Sequence, residues 1–163
     1  MEIKGKLTPT AKKILAIAEN EAKRMNHKYL SAEHILLGIL DKSVDKTIPA
    51  YVLKSLGFDR EKCIQDLDKD YAQTNTAKEV IEFAMGEAQS LGHSYVGAEH
   101  LMLGILNMPK SSACRTIGID PTLIRKEIIL FLTMLFTITF GGLAMAEGKN
   151  RFEQQDSNAK VIL

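Results

Sequence analysis

Residues 26–40 read N-H-K-Y-L-S-A-E-H-I-L-L-G-I-L, and residues 92–106 read G-H-S-Y-V-G-A-E-H-L-M-L-G-I-L. Extended toward the N-terminus, residues 8–40 align with residues 74–106 at an offset of 66, and sixteen of the 33 aligned pairs are identical. Beyond this block the register slips by five residues at a loop, where insertions cost little. The chain is therefore a tandem duplication, and each copy should form one structural unit.

Each copy is predicted to form four helices, because apolar residues recur at spacings of three and four and no segment alternates apolar and polar residues over a strand's length. Capping residues set the boundaries, with Pro9 in the first turn of the first helix. In the first copy the boundary residues are Thr8, Ser31, Gly57 and Asp59. In the second copy they are Thr74, Gly97, Gly118 and Asp120. We predict an all-α fold of two pseudo-symmetric four-helix repeats, eight helices in all, with an extended apolar C-terminal helix.

The duplication also predicts the domain organisation. A double-repeat domain should occupy residues 1–131, with repeat one at about 5–70 and repeat two at about 71–131. Residues 132–163 should form an apolar helix extension followed by a polar tail.

The composition is that of a soluble globular protein, with 45% hydrophobic and 25% charged residues in 163. The formal net charge of +1 creates no field that would attract nucleic acid, so no nucleic-acid partner is predicted. The two cysteines, Cys63 and Cys114, lie outside any C-x-x-C spacing and are expected to be reduced, as in the cytoplasm. Residues 1–10 contain no apolar run, so a secretory signal is not expected there.

Three stretches carry a family resemblance: T-P-T-A-K-K-I-L at residues 8–15 and the two stretches at 26–40 and 92–106. Together they resemble the repeat of the Clp N-terminal domain, found at the front of ClpC-, ClpA- and ClpB-type unfoldases, over about residues 5–131. The resemblance implies an independent module of protein quality control and the stress response. It would dock protein substrates or adaptors for Clp ATPase and protease components, without a cofactor. Some ClpC-type members use this domain to recognise phosphoarginine as a degradation mark.

The ATPase part of that family pattern is missing from the sequence. No G-x-x-x-x-G-K-[ST] motif occurs in the 163 residues, and there is no room for a module of a couple of hundred residues. The chain is therefore predicted not to be an enzyme and to have no catalytic residues. A hydrolase using Glu33 and Glu99 is the weakest of the alternatives.

The candidate ligand-binding residues are Glu33 and Glu99, which should lie in the first turn of the second helix of each repeat. Such a carboxylate either complements the helix N–H groups and dipole or accepts a guanidinium in a two-point geometry. The resemblance implies the second role, because the matching glutamate does this in phosphoarginine-reading members. The neighbouring helix starts, Thr8 beside Glu33 and Thr74 beside Glu99, would then bind the phosphate through a hydroxyl and free N–H groups.

Four histidines, His27, His34, His93 and His100, are separated by seven residues within each repeat. This is not the spacing of three to five typical of zinc ligands on a helix, and no cysteine joins them, so no metal is predicted. Their expected role is to fix the connection between the first two helices of each repeat by hydrogen bonding and packing.

The last apolar segment departs from the repeat pattern, since residues 128–146 contain no charge over 19 positions. One interpretation is a membrane anchor, because this length crosses a bilayer. A second is a helix buried on the domain or facing a partner, and a third is a signal-peptide-like segment from a fused reading frame. The first predicts cytoplasmic localisation with attachment to a membrane, and a scaffold or decoy that sequesters Clp adaptors as the alternative function.

Overall fold

The computed structural model describes residues 6–67 and 76–138, and within these ranges its regular structure is helical apart from two isolated β-bridges. Repeat one contains four α-helices and one short 3-10 helix, Lys42–Val44. The helices are α1, Pro9–Arg24; α2, Ala32–Ile39; α3, Ile48–Ser55; and α4, Arg60–Leu67. Repeat two contains α5, Ala77–Ser90; α6, Ala98–Leu106; α7, Ser112–Ile117; and α8, residues 121–138. The all-α fold of two tandem four-helix repeats is thus confirmed.

Most helix boundaries fall where the capping residues predict them. The hydroxyl of Thr8 accepts the Ala11 N–H at 3.1 Å, and Asp59 Oδ1 accepts the Lys62 N–H at 2.9 Å. Helix α7 ends at Gly118, whose φ of 62° lies in the left-handed region that favours glycine. The remaining predicted boundaries of this kind that the structure describes also hold: Ser31, Gly57, Gly97 and Asp120.

The start of α5 differs from the prediction. Its N-cap is Thr76, not Thr74, which lies outside the described residues. Thr76 and Glu79 form a capping box, in which the carboxylate accepts the Thr76 N–H at 2.8 Å and the hydroxyl accepts the Glu79 N–H at 3.4 Å. Repeat one has Lys13 where repeat two has Glu79, so only the second copy can close this box.

The first two helices of each repeat form a tight antiparallel hairpin. Lys13 Nζ donates to the Ser43 carbonyl at 3.0 Å near one end, and His27 contacts His34 near the other. Between these points a Cβ added at Gly38 would lie 2.5 Å from the Ile14 carbonyl oxygen, so only glycine permits this approach of the two backbones. Gly104 meets the Val80 carbonyl in the same way in repeat two.

Helices α2 and α6 lie at the centre of the domain. Every residue of α2 is buried, and so is every residue of α6 except Glu99. The two helices contact each other, and each also contacts the third helix of the other repeat. The core is therefore shared between the repeats, which places the first turns of α2 and α6 at the interface.

Replacing Gly38 or Gly104 by alanine should lower the free energy of unfolding by about 2 kcal/mol, because the new Cβ meets a backbone oxygen that moves only with its helix. Urea denaturation followed by circular dichroism measures the change. Gly86→Ala is the matched control, since a Cβ there meets nothing within 4 Å and a helix interior favours alanine over glycine. Equal destabilisation by all three substitutions would contradict the packing argument.

The contacts divide the chain after Ile128, and of the unit that begins at Ile129 the structure describes residues 129–138, which are helical. Among the described residues, no helix combines the length and the apolar character that crossing a membrane requires. The second part of the segment proposed as an anchor, residues 139–146, lies outside the described residues, as does the polar tail.

Candidate functional site: two composite clefts between the repeats

The helix starts meet across the repeats. The Thr8 N–H donates to the Val96 carbonyl at 3.0 Å, and the Val96 N–H donates to the Lys6 carbonyl at 2.7 Å. In the reciprocal arrangement the Ala77 N–H donates to the Leu30 carbonyl at 3.0 Å. The start of the first helix of each repeat therefore lies beside the start of the second helix of the other repeat.

The predicted pairing of Thr8 with Glu33 within one repeat is wrong. The antiparallel hairpin brings Ile14 to Gly38, and Thr8 lies six residues from this contact in one direction while Glu33 lies five residues from it in the other. At 1.5 Å per residue the two are separated by about 16 Å along the helices. Thr8 and Glu33 belong to the same repeat, yet they lie at opposite ends of its first helix hairpin.

The structure instead brings together two groups of residues from both repeats, here called composite clefts, while the predicted partner of Glu99, Thr74, lies outside the described residues. The Glu99 cleft consists of Thr8, Val96, Gly97 and Glu99. The Glu33 cleft consists of Thr76, Leu30, Ser31 and Glu33, with a β-bridge between Ser31 and Thr76. Each cleft combines one helix start with one carboxylate from the other repeat. The helix start favours an anion, and the carboxylate favours a cation such as a guanidinium.

Glu33 is enclosed by the protein. The residue is only 1% exposed, and its Oε1 accepts a hydrogen bond from the Ser112 hydroxyl of α7. Among the described residues its Oε2 has no hydrogen-bond partner. No feature of the sequence near Glu33 indicates Ser112, which lies 79 residues further along the chain. A buried carboxylate oxygen without a hydrogen-bond donor lowers the stability of the fold, so packing alone does not explain why Glu33 is buried here.

Glu99 is more accessible, since its side chain is 16% exposed. Its carboxylate folds back over Gly97, where an added Cβ would collide with both carboxylate oxygens, and Oε1 lies 3.2 Å from His100 Nδ1. Repeat one has Ser31 at the position of Gly97, so its side chain fills the space that the Glu99 carboxylate uses. The two acids therefore adopt different environments despite their identical local sequence.

The histidines fix the hairpin connections, as the sequence predicts. His34 Nδ1 accepts the Ser31 N–H at 3.0 Å, and His34 Nε2 lies 2.9 Å from His27 Nδ1. Repeat two has the same arrangement: His100 Nδ1 accepts the Gly97 N–H at 2.9 Å, and His100 Nε2 lies 2.8 Å from His93 Nδ1. Burial, followed by repulsion from the partner imidazole, lowers the pKa of the two buried rings, His34 and His100, to about 4.

Cys114 lies in the same buried region as Glu33. Burial raises the pKa of its thiol, the Ser111 hydroxyl opposes the shift, and the charge of Glu33 adds to it. Because the thiolate is the nucleophile, a thiol held protonated at neutral pH is poorly suited to nucleophilic chemistry.

A cavity of about 650 Å³ lies beside the Glu99 cleft, and Val96 and Lys6 belong to its lining. The rest of the lining comes from the C-terminal half of α5 and the following loop, including Met85, Gly86 and Tyr95. At the positions of Met85, Gln89 and Ser94, repeat one has Glu19, Lys23 and Lys28. These three positions are therefore uncharged only in repeat two, although Lys6 and Glu82 also line the cavity.

The fold and the hydrogen bonds between the repeats define the class of this protein as an all-helical tandem-repeat domain. The family model of the Clp repeat (R) N-terminal domain matches residues 6–76 and 72–147. The chain belongs to this family, as the three quoted stretches indicate.

Curated relatives and solved structures agree with this assignment. The chain is 39% identical over 139 residues to the probable ATP-dependent Clp protease ATP-binding subunit of Chlamydia pneumoniae, covering 76% of this chain and 16% of that protein. It is 36% identical over 141 residues to the negative regulator of genetic competence ClpC/MecB of Bacillus subtilis (strain 168), covering 78% and 17%. It thus spans about a sixth of the length of these relatives.

Two solved structures share the fold. The N-terminal domain of the caseinolytic protease associated chaperone ClpD from Arabidopsis thaliana has a TM-score of 0.64 at 16% identity, covering 82% of this chain and 97% of that one. The N-terminal domain of Hsp104 from Candida albicans has a TM-score of 0.59 at 19% identity, covering 76% and 89%.

Proposed function

We propose that this chain is a non-catalytic recognition module that captures substrate proteins or adaptors, including phosphoarginine-marked proteins, for Clp ATPase and protease components. The observation that carries the proposal is the Glu99 cleft, in which the partly exposed Glu99 follows three residues after Val96, whose carbonyl accepts the N–H of Thr8 at the start of α1. The domain also belongs to this family.

The chemistry of the Glu99 cleft suits a ligand that is cationic at one end and anionic at the other. A guanidinium is planar and binds a carboxylate through two parallel hydrogen bonds. A phosphate is stabilised by the N–H groups and the positive end of the dipole at a helix start. The first turn of α1, residues 9–12, reads P-T-A-K and so brings no negative charge that would repel the phosphate.

Replacing Glu99 by glutamine should weaken the binding of free phosphoarginine by about 10- to 100-fold, because hydrogen bonds to a charged group contribute about 1.5–3 kcal/mol. Isothermal titration calorimetry on the full chain measures the dissociation constant. Glu19→Gln is the matched control, since Glu19 is an exposed acid on α1, eleven residues from Thr8. If the unmodified chain binds no phosphoarginine, the proposed recognition of phosphoarginine-marked proteins is wrong.

The alternative function is a membrane-attached scaffold or decoy that sequesters Clp adaptors at the cytoplasmic face. One observation favours it: residues 128–146 are uncharged over 19 positions. The full chain should then sediment with lipid vesicles, whereas a chain ending at Ile128 should stay in the supernatant. If both chains stay in the supernatant, the membrane function is wrong.

A further inference from the structure

The two composite clefts differ first in their carboxylates. Glu33 is 1% exposed, and Glu99 is the one residue of α6 that is not buried. The difference comes from repeat two alone, because Ser112 of α7 donates its hydroxyl hydrogen to Glu33. By the register that matches Gly57 with Gly118, repeat one has Tyr51 where repeat two has Ser112, and Tyr51 is exposed whereas Ser112 is buried.

The clefts differ second in their helix starts. In the Glu33 cleft the start of α5 is already occupied, since the Glu79 carboxylate accepts the Thr76 N–H at 2.8 Å and lies 3.2 Å from the Thr76 hydroxyl. In the Glu99 cleft the third residue after the N-cap Thr8 is Ala11, which has no carboxylate to close a capping box. The start of α5 thus carries its own anion, whereas the start of α1 does not.

We infer that the chain binds its ligand at one cleft only: the Glu99 cleft accepts the guanidinium and phosphate, while Ser112 and Glu79 keep the Glu33 cleft closed. This inference rests on the proposed function, because it identifies which of the two sites serves it. To enter the Glu33 cleft, a guanidinium must displace the Ser112 hydroxyl from a buried carboxylate. A phosphate must also displace the Glu79 carboxylate, which repels it.

The buried Oε2 of Glu33 supports this closed state. It has no donor among the described residues, yet it is buried, so ligand groups in solution do not reach it in this conformation. A carboxylate held this way is not accessible to a cation in solution. Ser112 therefore distinguishes the two carboxylates as Glu79 distinguishes the two helix starts, and it acts by holding Glu33 rather than by contact with the ligand.

The closure can be tested without any ligand. We expect carbodiimide with glycinamide, followed by peptide mass spectrometry, to modify Glu99 at least tenfold faster than Glu33 in the folded full chain. Ser112→Ala should raise the rate at Glu33 toward that at Glu99, and Ser112→Thr, which keeps a hydroxyl, should leave Glu33 protected. Circular dichroism confirms that each variant is folded. Equal modification of Glu33 and Glu99 in the unmodified chain would overturn the inference.

Calorimetry with phosphoarginine then separates the two proposals. The unmodified chain should bind one equivalent, and the double substitution Ser112→Ala, Glu79→Gln should bind two. Two equivalents bound by the unmodified chain would overturn the closure. If neither protein binds phosphoarginine, the proposed ligand is wrong, while the labelling rates still decide whether the Glu33 cleft is closed.

Discussion

Between pH 7 and pH 4 the free energy of unfolding of this chain should fall by about 3 kcal/mol for each of its two buried histidines, His34 and His100. Burial holds the pKa of each folded imidazole at about 4, against an ordinary value of 6.5 in the unfolded chain. The unfolded state therefore binds more protons over this range, and stability present above pH 6.5 is lost as the pH falls toward 4.

The structure shows why the folded state resists these protons. Nδ1 of each buried ring accepts a backbone N–H, from Ser31 or from Gly97, so a proton at that nitrogen would place two donors face to face. The neighbouring acids Glu21 and Glu87 oppose the shift without cancelling it.

Urea denaturation at pH 7, 6, 5 and 4 measures the predicted loss, most of which should fall between pH 6.5 and 4.5. Carboxyl groups contribute below this window, since the pKa values of Asp41, Glu87 and Asp120 are all lowered in the folded chain. The control is the double substitution His34→Asn, His100→Asn, whose amide oxygens can replace Nδ1 as acceptors but do not titrate. A stability that is unchanged from pH 7 to pH 5 in the unmodified chain would contradict the prediction.

Replacing Glu87 by alanine should lower the free energy of unfolding by about 3 kcal/mol, near the lower end for breaking a buried ion pair because one partner is half-exposed. Glu87 is 7% exposed and binds the Arg125 guanidinium through both oxygens, at 2.9 and 2.8 Å. It also accepts the Asn107 amide at 2.6 Å. Although burial alone would raise its pKa, the hydrogen bonds from Arg125 and Asn107 hold the pKa of Glu87 below its ordinary value.

Glu82→Ala is the matched control, because Glu82 lies on the same helix and pairs with Lys78 at 3.8 Å in solvent. Exposed pairs contribute about 0–1 kcal/mol, so this substitution should change stability little. Chemical denaturation at pH 7 compares the two variants. If Glu82→Ala lowers the stability as much as Glu87→Ala, the loss comes from substituting a glutamate of helix α5 in general and not from breaking the buried ion pair.

The start of α5 shows that aligning the two copies does not always predict a helix boundary correctly. Pairing Thr8 with Thr74 places the second helix start at the aligned threonine, but the structure places it at Thr76. The signal was present as a threonine followed by glutamate three residues later, and Glu79 has no counterpart in repeat one. The presence of Glu79 in repeat two therefore decided the helix start, although Thr74 is identical to the aligned Thr8.

The pairing of the site residues shows a second limit of prediction from the duplicated sequence. Duplication predicts that equivalent residues have equivalent neighbours, yet it does not say whether the neighbours come from the same copy or from the other. The antiparallel hairpin separates Thr8 from Glu33, and packing of α2 against α6 brings Thr8 to Val96 instead. Ser112 reaches Glu33 from 79 residues away, a distance over which spacing carries no information.

The helices, most of their caps, the duplication and the family could be predicted from the amino-acid sequence, because these depend on contacts between residues close along the chain and on the repeated pattern of apolar side chains. The packing of the two repeats was needed to show which helix start lies beside which second helix and which of the two carboxylates is more exposed. Those properties arise where two copies meet, and small differences such as Gly97 against Ser31 act there through side chains that are distant in sequence.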